Sequence, residues 1–211
     1  MRRKATLRVS LVLAMLAIAS VPAFSDSWNN SDDDVSMELV GQVINSGTSS
    51  FQFGYLSYIN GIDTAALFSG AVQSEATALF SFYNDTTTRR VINNGPIRVI
   101  DRHGTSTVYF NAAPDGNFAN PGSFADGTPV LAANLRHQVI IDTLTGAFTA
   151  TFVLTVTSNE SFWLGDERYR LGKRGQKLRL TFVGHLNAPA PPAGHIAGFM
   201  TGGDLTKSGS N

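Results

Sequence analysis

The stretch VIIDTLTGAFTATFVLTVTSNESF, from Val139 to Phe162, shows the clearest alternation of apolar and polar residues in the chain. From position 147 onward one set of alternate positions is rich in threonine, and the other is apolar: Phe148, Ala150, Phe152, Leu154 and Val156. A period of two is the spacing of side chains on the two faces of a β-strand. The stretch therefore predicts a strand with one buried face and one wetted face, entered through a turn at LTG.

Comparable segments recur on both sides of this strand. They include MELVGQVI, FQFGYLSYINGI, EATALFSFYND, NLRHQVIIDT and ERYRLGKRGQKLRLTFVGHL, while TTTRRVINNGPIRVIDRHGTSTVYFN is interpreted as three short strands divided by NNGP and RHG. About eight to ten strands without an amphipathic helix predict one all-β domain. Short turns, and glycines inside the strands at Gly41, Gly54 and Gly184, favour a single antiparallel β-barrel. A two-sheet β-sandwich is the alternative.

The segments FGYLSYINGI and SEATALFSFYND, with the glycine-punctuated strands that follow, carry a resemblance of plan. In general architecture the chain is similar to small secreted barrels of the allene oxide cyclase, dirigent and lipocalin kind. The resemblance implies a barrel and no function, because no catalytic or ligand residue is matched by position. We expect the barrel interior, whether filled or enclosing a cavity, to be supplied by Phe53, Phe80, Phe82, Phe148, Phe152 and Phe182.

The first residues predict export. Arg2, Arg3 and Lys4 precede a short apolar run, and small residues at Ala23 and Ser25 fit a signal-peptidase site. We therefore expect a secreted or periplasmic protein with no transmembrane span after signal cleavage. The predicted organisation is a signal peptide (1–25), a disordered acidic leader (26–36), an all-β domain (37–187) and a Pro/Gly-rich C-terminal tail (188–211).

Charge and cysteine content restrict the possible partners. Loss of residues 1–25 removes four of the 16 basic residues and none of the 16 acidic ones, so the mature chain carries a net charge of −4. No Lys or Arg occurs between Asp26 and Thr88, which makes the first half acidic and the second half basic. A net-acidic exported chain is not expected to bind nucleic acid. With no cysteine, its stability must come from a hydrophobic core.

The segment RYRLGKRGQKLR is the most basic part of the chain. It is interpreted as a hairpin folded back at GKRG, whose two arms form a cationic ribbon. An anionic polysaccharide, lipid headgroups or the protein's own acidic half would suit such a ribbon, and a solvated strand pair that guards a sheet edge is the alternative. The predicted ligand or surface-binding residues are Arg168, Arg170, Lys173, Arg174, Lys177 and Arg179.

Catalytic and metal-binding patterns are weak by comparison. Asp101 and His103 share a strand face, as an acid–base pair or as a polar turn entrance. His137 alternates with apolar residues and is interpreted as a hydrogen-bonded core or rim histidine, and Asp142 as a turn-stabilising side chain. The oxygen-rich loop PDGNFANPGSFADG lacks EF-hand spacing, so no metal or cofactor is predicted. Catalytic residues remain unknown.

These patterns leave the function open, with binding favoured over catalysis. The leading hypothesis is an exported β-domain that binds a small apolar ligand in the barrel or an anionic component of the envelope or surface. The alternatives are a cyclase- or isomerase-like barrel enzyme and a structural or assembly protein of the cell envelope. A cavity would favour the carrier or the enzyme, and a filled interior the surface binder. The sequence does not fix the oligomeric state or the role of the long loop at 112–128.

Overall fold

The computed structural model describes residues 35–186, 194–203 and 205–208. The predicted signal peptide and most of the predicted leader lie outside the described residues. Two short 3-10 helices, Thr64–Leu67 and Pro121–Phe124, accompany the strands. The strands are β1 (Val35–Ser46), β2 (Ser49–Ile59), β3 (Phe80–Asn94), β4 (Ile97–Phe110), β5 (Thr128–Asp142), β6 (Ala147–Asn159), β7 (Ser161–Leu164), β8 (Glu167–Leu171), β9 (Lys177–His185), β10 (Gly194–Thr201) and β11 (Leu205–Ser208).

Eight of these strands form one closed antiparallel barrel. Their order around the barrel is β1-β10-β9-β6-β5-β4-β3-β2, so nearly every strand pairs with its neighbour in sequence. The remaining three strands form a separate sheet in the order β11-β8-β7. The prediction of a single antiparallel barrel is confirmed, and the two-sheet sandwich is not the fold.

Strand β10 closes the barrel against β1. Leu39 of β1 pairs with Gly198 of β10, and the hydroxyl of Ser36 donates to the carbonyl of Met200 at 3.1 Å. Residues 194–201, which we expected to lie in a tail outside the barrel, are therefore part of its wall. Closure satisfies the edge hydrogen bonds that β1 and β9 would otherwise expose.

Strands β3 and β4 are longer than predicted. The segment EATALFSFYND predicted a strand that ends at Asp85, and RHG predicted a break in the next one, but β3 and β4 run through these positions and pair on both sides of one irregularity between Thr88 and Arg90. A Cβ atom at Gly104 would lie 1.8 Å from the carbonyl oxygen of Asp85, so this glycine permits close approach of two strands. Turn-forming residue types were overridden here by continuous pairing with the neighbouring strand.

The barrel interior is packed with aliphatic and aromatic side chains. Phe80, Phe82 and Phe152 are buried in it, while Phe148 and Phe182 are partly buried and pack against the same core. Gly41 and Gly54 face each other on β1 and β2, and a Cβ on Gly41 would lie 2.9 Å from the ring of Phe82. These two glycines therefore make room for an aromatic ring.

Phe53 lies on the outer face of β2, so its predicted place in the interior is wrong. Its ring centroid is 5.5 Å from that of Phe124 and 6.3 Å from that of Phe118, both in the loop between β4 and β5. The hydroxyl of Ser81 on β3 also donates to the carbonyl of Phe124 at 2.9 Å. The long loop is thus packed against the outer wall, where it buries Phe53 completely.

The three-stranded sheet is fixed to one end of the barrel by its inner face. The ring centroid of Phe162 on β7 lies 5.0 Å from that of Phe80, 5.6 Å from that of Phe110 and 6.0 Å from that of Tyr169. Leu171 on β8 is also buried in this core. Because side chains alternate along a strand, the neighbours of these residues point away from the barrel.

Candidate functional site

The barrel interior is almost completely filled. A cavity among its core residues has a volume of about 20 Å³ and is bordered by apolar side chains, with Asn84 and Ser106 as its polar neighbours. That is room for about one water molecule, whereas small-molecule sites usually measure about 300–1,000 Å³. A cavity of this size has no space for an apolar ligand.

One cross-strand row inside the barrel is polar. Gln52 pairs with Asn84, and Asn84 pairs with Ser106, on three successive strands. The amide of Gln52 donates to the hydroxyl of Ser50 at 2.7 Å, but the side-chain oxygens of Gln52 and Asn84 have no hydrogen-bond partner within the described residues. Because a buried polar atom without a partner is costly, this row lowers the stability of the core.

His137 lies in the core, as predicted, but its Nδ1 has no hydrogen-bond partner among the described residues. It is 3% exposed, and its ring stacks on Phe152 with centroids 4.1 Å apart. Burial, with a smaller contribution from the charge of Arg102, lowers the pKa of His137 to about 3. The imidazole is therefore neutral at physiological pH and enclosed by the packed interior.

Asp101 and His103 do not form the acid–base pair that their spacing allowed. Asp101 is buried, and it accepts hydrogen bonds from Gln138 at 2.8 Å and from Nε of Arg90 at 2.9 Å. These two interactions hold the pKa of Asp101 below its usual range. In the described part of the chain no hydrogen bond joins Asp101 to His103, which is exposed.

Asp142 has the predicted role in the turn before β6. Its carboxylate accepts from the backbone N–H groups of Leu144 at 2.9 Å and Thr145 at 3.3 Å. Those two hydrogen bonds lower the pKa of Asp142. It therefore acts as a local turn stabiliser.

A cationic cleft lies open on the outer side of the three-stranded sheet. Its volume is about 440 Å³. Four of the six predicted surface-binding residues line it, and none of its lining residues within the described part of the chain is acidic. The lining consists of Asn159, Ser161, Arg168, Arg170, Gly172, Lys173, Arg174 and Thr206.

Strand alternation builds the cleft. On β8, Arg168 and Arg170 are exposed while Tyr169 and Leu171 are buried, so both guanidinium groups leave the sheet on the side away from the barrel. Arg170 lies between two hydroxyl residues on the neighbouring strands, Ser161 of β7 and Thr206 of β11. The cleft therefore presents cations among neutral hydrogen-bonding groups.

The turn after β8 completes the site. Gly172 adopts a positive φ of 61°, and its carbonyl accepts from the side chain of Asn159 at 2.7 Å. The side-chain oxygen of Gln176 accepts from the backbone N–H of Lys173 at 2.9 Å. These contacts hold the turn residues Lys173 and Arg174 beside the strand arginines.

The three arginines of the cleft form no ion pair with a carboxylate of the described residues. Arg168 donates from Nε to the hydroxyl of Ser161 at 3.0 Å, and that contact leaves its charge intact. Within the described residues, neither Arg170 nor Arg174 forms an ion pair, and the acidic first half supplies no carboxylate to any of the three arginines. Several uncompensated cations around one concave surface concentrate a positive potential there.

The predicted hairpin between β8 and β9 does not exist. β8 pairs with β7 and β11, whereas β9 lies in the barrel wall between β6 and β10. Lys177 and Arg179 consequently pair across the wall with Thr155 and Val153 and are absent from the cleft lining. The reason is that β9 carries the interior residues Leu178 and Leu180, which only the barrel can bury.

Trp163 is a surface residue that we did not single out from the sequence. It is 61% exposed and pairs across the sheet with Arg168. The signal was present in SFWL, because alternation places Trp163 opposite in direction to its buried neighbour Phe162. Of the two adjacent aromatic residues, the exposed Trp163 is more informative about a binding surface than the buried Phe162, because a large exposed apolar side chain is unusual.

In comparisons with known proteins, no protein-family model, no curated protein and no solved structure matches this chain. Among the described residues there is no helix with the length and apolar character to cross a membrane. The same part of the chain contains no cluster of three or more His, Cys, Asp or Glu side chains placed to hold a metal ion.

Proposed function

We propose that the protein is an exported binding protein that holds an anionic group of an envelope or surface component in the cationic cleft. The observation that carries the proposal is the convergence of Arg168, Arg170 and Arg174 on one cleft whose described lining residues include no carboxylate. Arginine recognises phosphate, sulfate and carboxylate through several hydrogen bonds in a fixed geometry. The site therefore suits a compact, multiply charged anion.

The neutral groups of the cleft fit the same ligand class. Ser161, Thr206 and Asn159 border the cations and provide hydroxyl and amide groups for the uncharged oxygens of a phosphorylated or sulfated molecule. The barrel interior offers much less support to the rival carrier function, because its cavity of about 20 Å³ is far smaller than an apolar ligand. The observations therefore favour the anionic partner.

The test uses inositol hexakisphosphate as a probe, titrated into the processed protein by calorimetry. We expect binding that weakens as salt concentration rises, because screening acts on exposed charges. The double variant R170A/R174A should bind at least about tenfold more weakly, since each charge-assisted hydrogen bond contributes about 1.5–3 kcal/mol.

The matched control is K177A/R179A, which removes the same number of charges from the barrel wall. It should keep most of the affinity. Equal losses in the two double variants would show that only net charge matters, and the cleft would then not be the site. Absence of binding by the unaltered protein at low salt would also refute the proposal.

A further inference from the structure

We infer that the outer face of the three-stranded sheet docks onto the surface of an anionic phospholipid bilayer, with Trp163 as its interfacial anchor. The inference rests on the proposed function, since the cleft would take the phosphate groups of the lipids. It adds a partner of defined chemistry, and it assigns a role to a side chain that does not line the cleft.

Trp163 is largely exposed on the outer face of the three-stranded sheet. In the described part of the chain its ring makes no contact with another aromatic ring, although its neighbour Phe162 makes three. Trp163 is also the only exposed large apolar residue of the three-stranded sheet, within the residues described. Tryptophan prefers the boundary between lipid headgroups and acyl chains, where its apolar ring and its polar N–H are both satisfied.

The anchor and the cations point in the same direction. Residues directly opposite each other in an antiparallel pair share a face, so Trp163 projects on the same side as Arg168, and Ser161 on the same side as Arg170. The other face of the sheet is covered by the barrel core. If the outer face of the sheet lies parallel to a membrane surface, the indole and the arginines can therefore contact that surface together.

Charge favours a bilayer rich in anionic lipid over a neutral one. Each cation near an anionic membrane surface strengthens binding by roughly fivefold, and three arginines line this cleft. The indole adds an apolar contribution that is independent of salt. Two signals of different physical origin are the combination expected for stable peripheral association.

A free acidic saccharide or an acidic protein would use the same cations but would not need Trp163 to enter an apolar phase. The distinction can be measured because the chain has two tryptophans, Trp28 and Trp163. In the variant W28F, all tryptophan emission reports on the position beside the cleft. Entry of the indole into the interface would shift its emission to shorter wavelength.

The experiment adds phosphatidylcholine vesicles, with or without phosphatidylglycerol at one lipid in three, to the processed W28F protein. We expect a blue shift and co-sedimentation only with the anionic vesicles, and weaker binding at higher salt. The additional substitution W163A should lower partitioning by about tenfold in co-sedimentation while leaving the affinity for inositol hexakisphosphate unchanged. K177A/R179A should still bind the anionic vesicles.

The outcomes separate this inference from the proposed function. If inositol hexakisphosphate binds and anionic vesicles do not, membrane docking is refuted while the anion site stands. Binding of heparin without binding of anionic vesicles leads to the same conclusion and identifies a saccharide partner. If vesicles bind without any shift in Trp163 emission, the indole does not enter the interface and the proposed orientation is overturned.

Discussion

The two faces of the three-stranded sheet differ although they are built from adjacent residues. The inner face carries Phe162 and Tyr169, which pack on the barrel core, and the outer face carries Trp163 and the cleft arginines, which meet solvent. Aromatic residues of the same sheet thus have different roles, because alternate side chains of a strand point to opposite faces. The inner face contributes stability through its contacts with the core, whereas the outer face is exposed to solvent.

The largest expected contrast lies within strand β7. F162A should destabilise the protein by about 3–5 kcal/mol, because truncating a buried phenylalanine opens a cavity among aromatic rings. W163A should change stability by no more than about 0.5 kcal/mol, because an exposed side chain loses few contacts. Urea denaturation of both variants measures the contrast, and similar costs for the two would show that the sheet is not docked as described.

A second contrast uses the buried histidine of the barrel. The folded pKa of His137 is about 3, below the value of about 6.5 expected in the unfolded chain. The unfolded state therefore takes up a proton first, and the stability contributed by neutral His137 is complete above pH 6.5 and lost as the pH falls toward 3. The loss amounts to on the order of 3 kcal/mol between pH 7 and pH 4.

H137F should remove that part of the acid sensitivity, because a phenylalanine keeps a ring beside Phe152 and takes up no proton. The measurement is the free energy of unfolding of both proteins at several pH values. H103Q, which alters an exposed histidine on the wall, serves as the control. An unchanged pH dependence in H137F would mean that protonation of this imidazole does not limit stability in acid.

A third test concerns the packing of the Phe82 ring against the backbone at Gly41. G41A places a methyl group 2.9 Å from the ring of Phe82 and 2.3 Å from the carbonyl oxygen of Phe53, so we expect a loss of about 1–3 kcal/mol from overpacking. G70A is the matched control, since its nearest neighbour, the side chain of Thr77, would be 3.9 Å from the new methyl group. Thermal unfolding that affects both variants equally would contradict the described packing.

The smallest effect is expected at the ion pair between Lys207 and Glu167. Both side chains are largely exposed, so the charges are well solvated with or without the contact. K207Q should therefore leave the denaturation midpoint unchanged within experimental error. A clear loss of stability would show that β11 is held to β8 by this pair and not mainly by backbone hydrogen bonds and Leu205.

The barrel was predictable because its strands alternate strongly. Phe152, Leu154 and their neighbours on β6 needed only the period of two to be placed on the inner face. Strand β10 was missed because glycine, histidine and alanine interrupt its alternation, and its apolar residues are recognisable as a wall strand only beside β1. Pairing between distant segments carries information that a local pattern lacks.

The cleft was predictable in composition but not in geometry. The basic residues were visible as a cluster, and GKRG had the form of a hairpin turn, yet the turn sends the chain from one sheet into another. The error for Phe53 has a related cause, since a strand with apolar residues on both faces does not reveal which face is covered by a loop. In both cases the deciding partner is remote in sequence.

The contact between β1 and β10 also determines when the barrel can close during synthesis of the chain. The pairing joins residues 35–43 with residues 194–201, so the first strand waits for a partner that is made about 150 residues later. At the usual pace of translation this delay is roughly 10–30 s. During that interval the edge of β1 that pairs with β10 is unpaired and can associate with strands of other chains. A chaperone that covers this edge would prevent such association until the barrel closes.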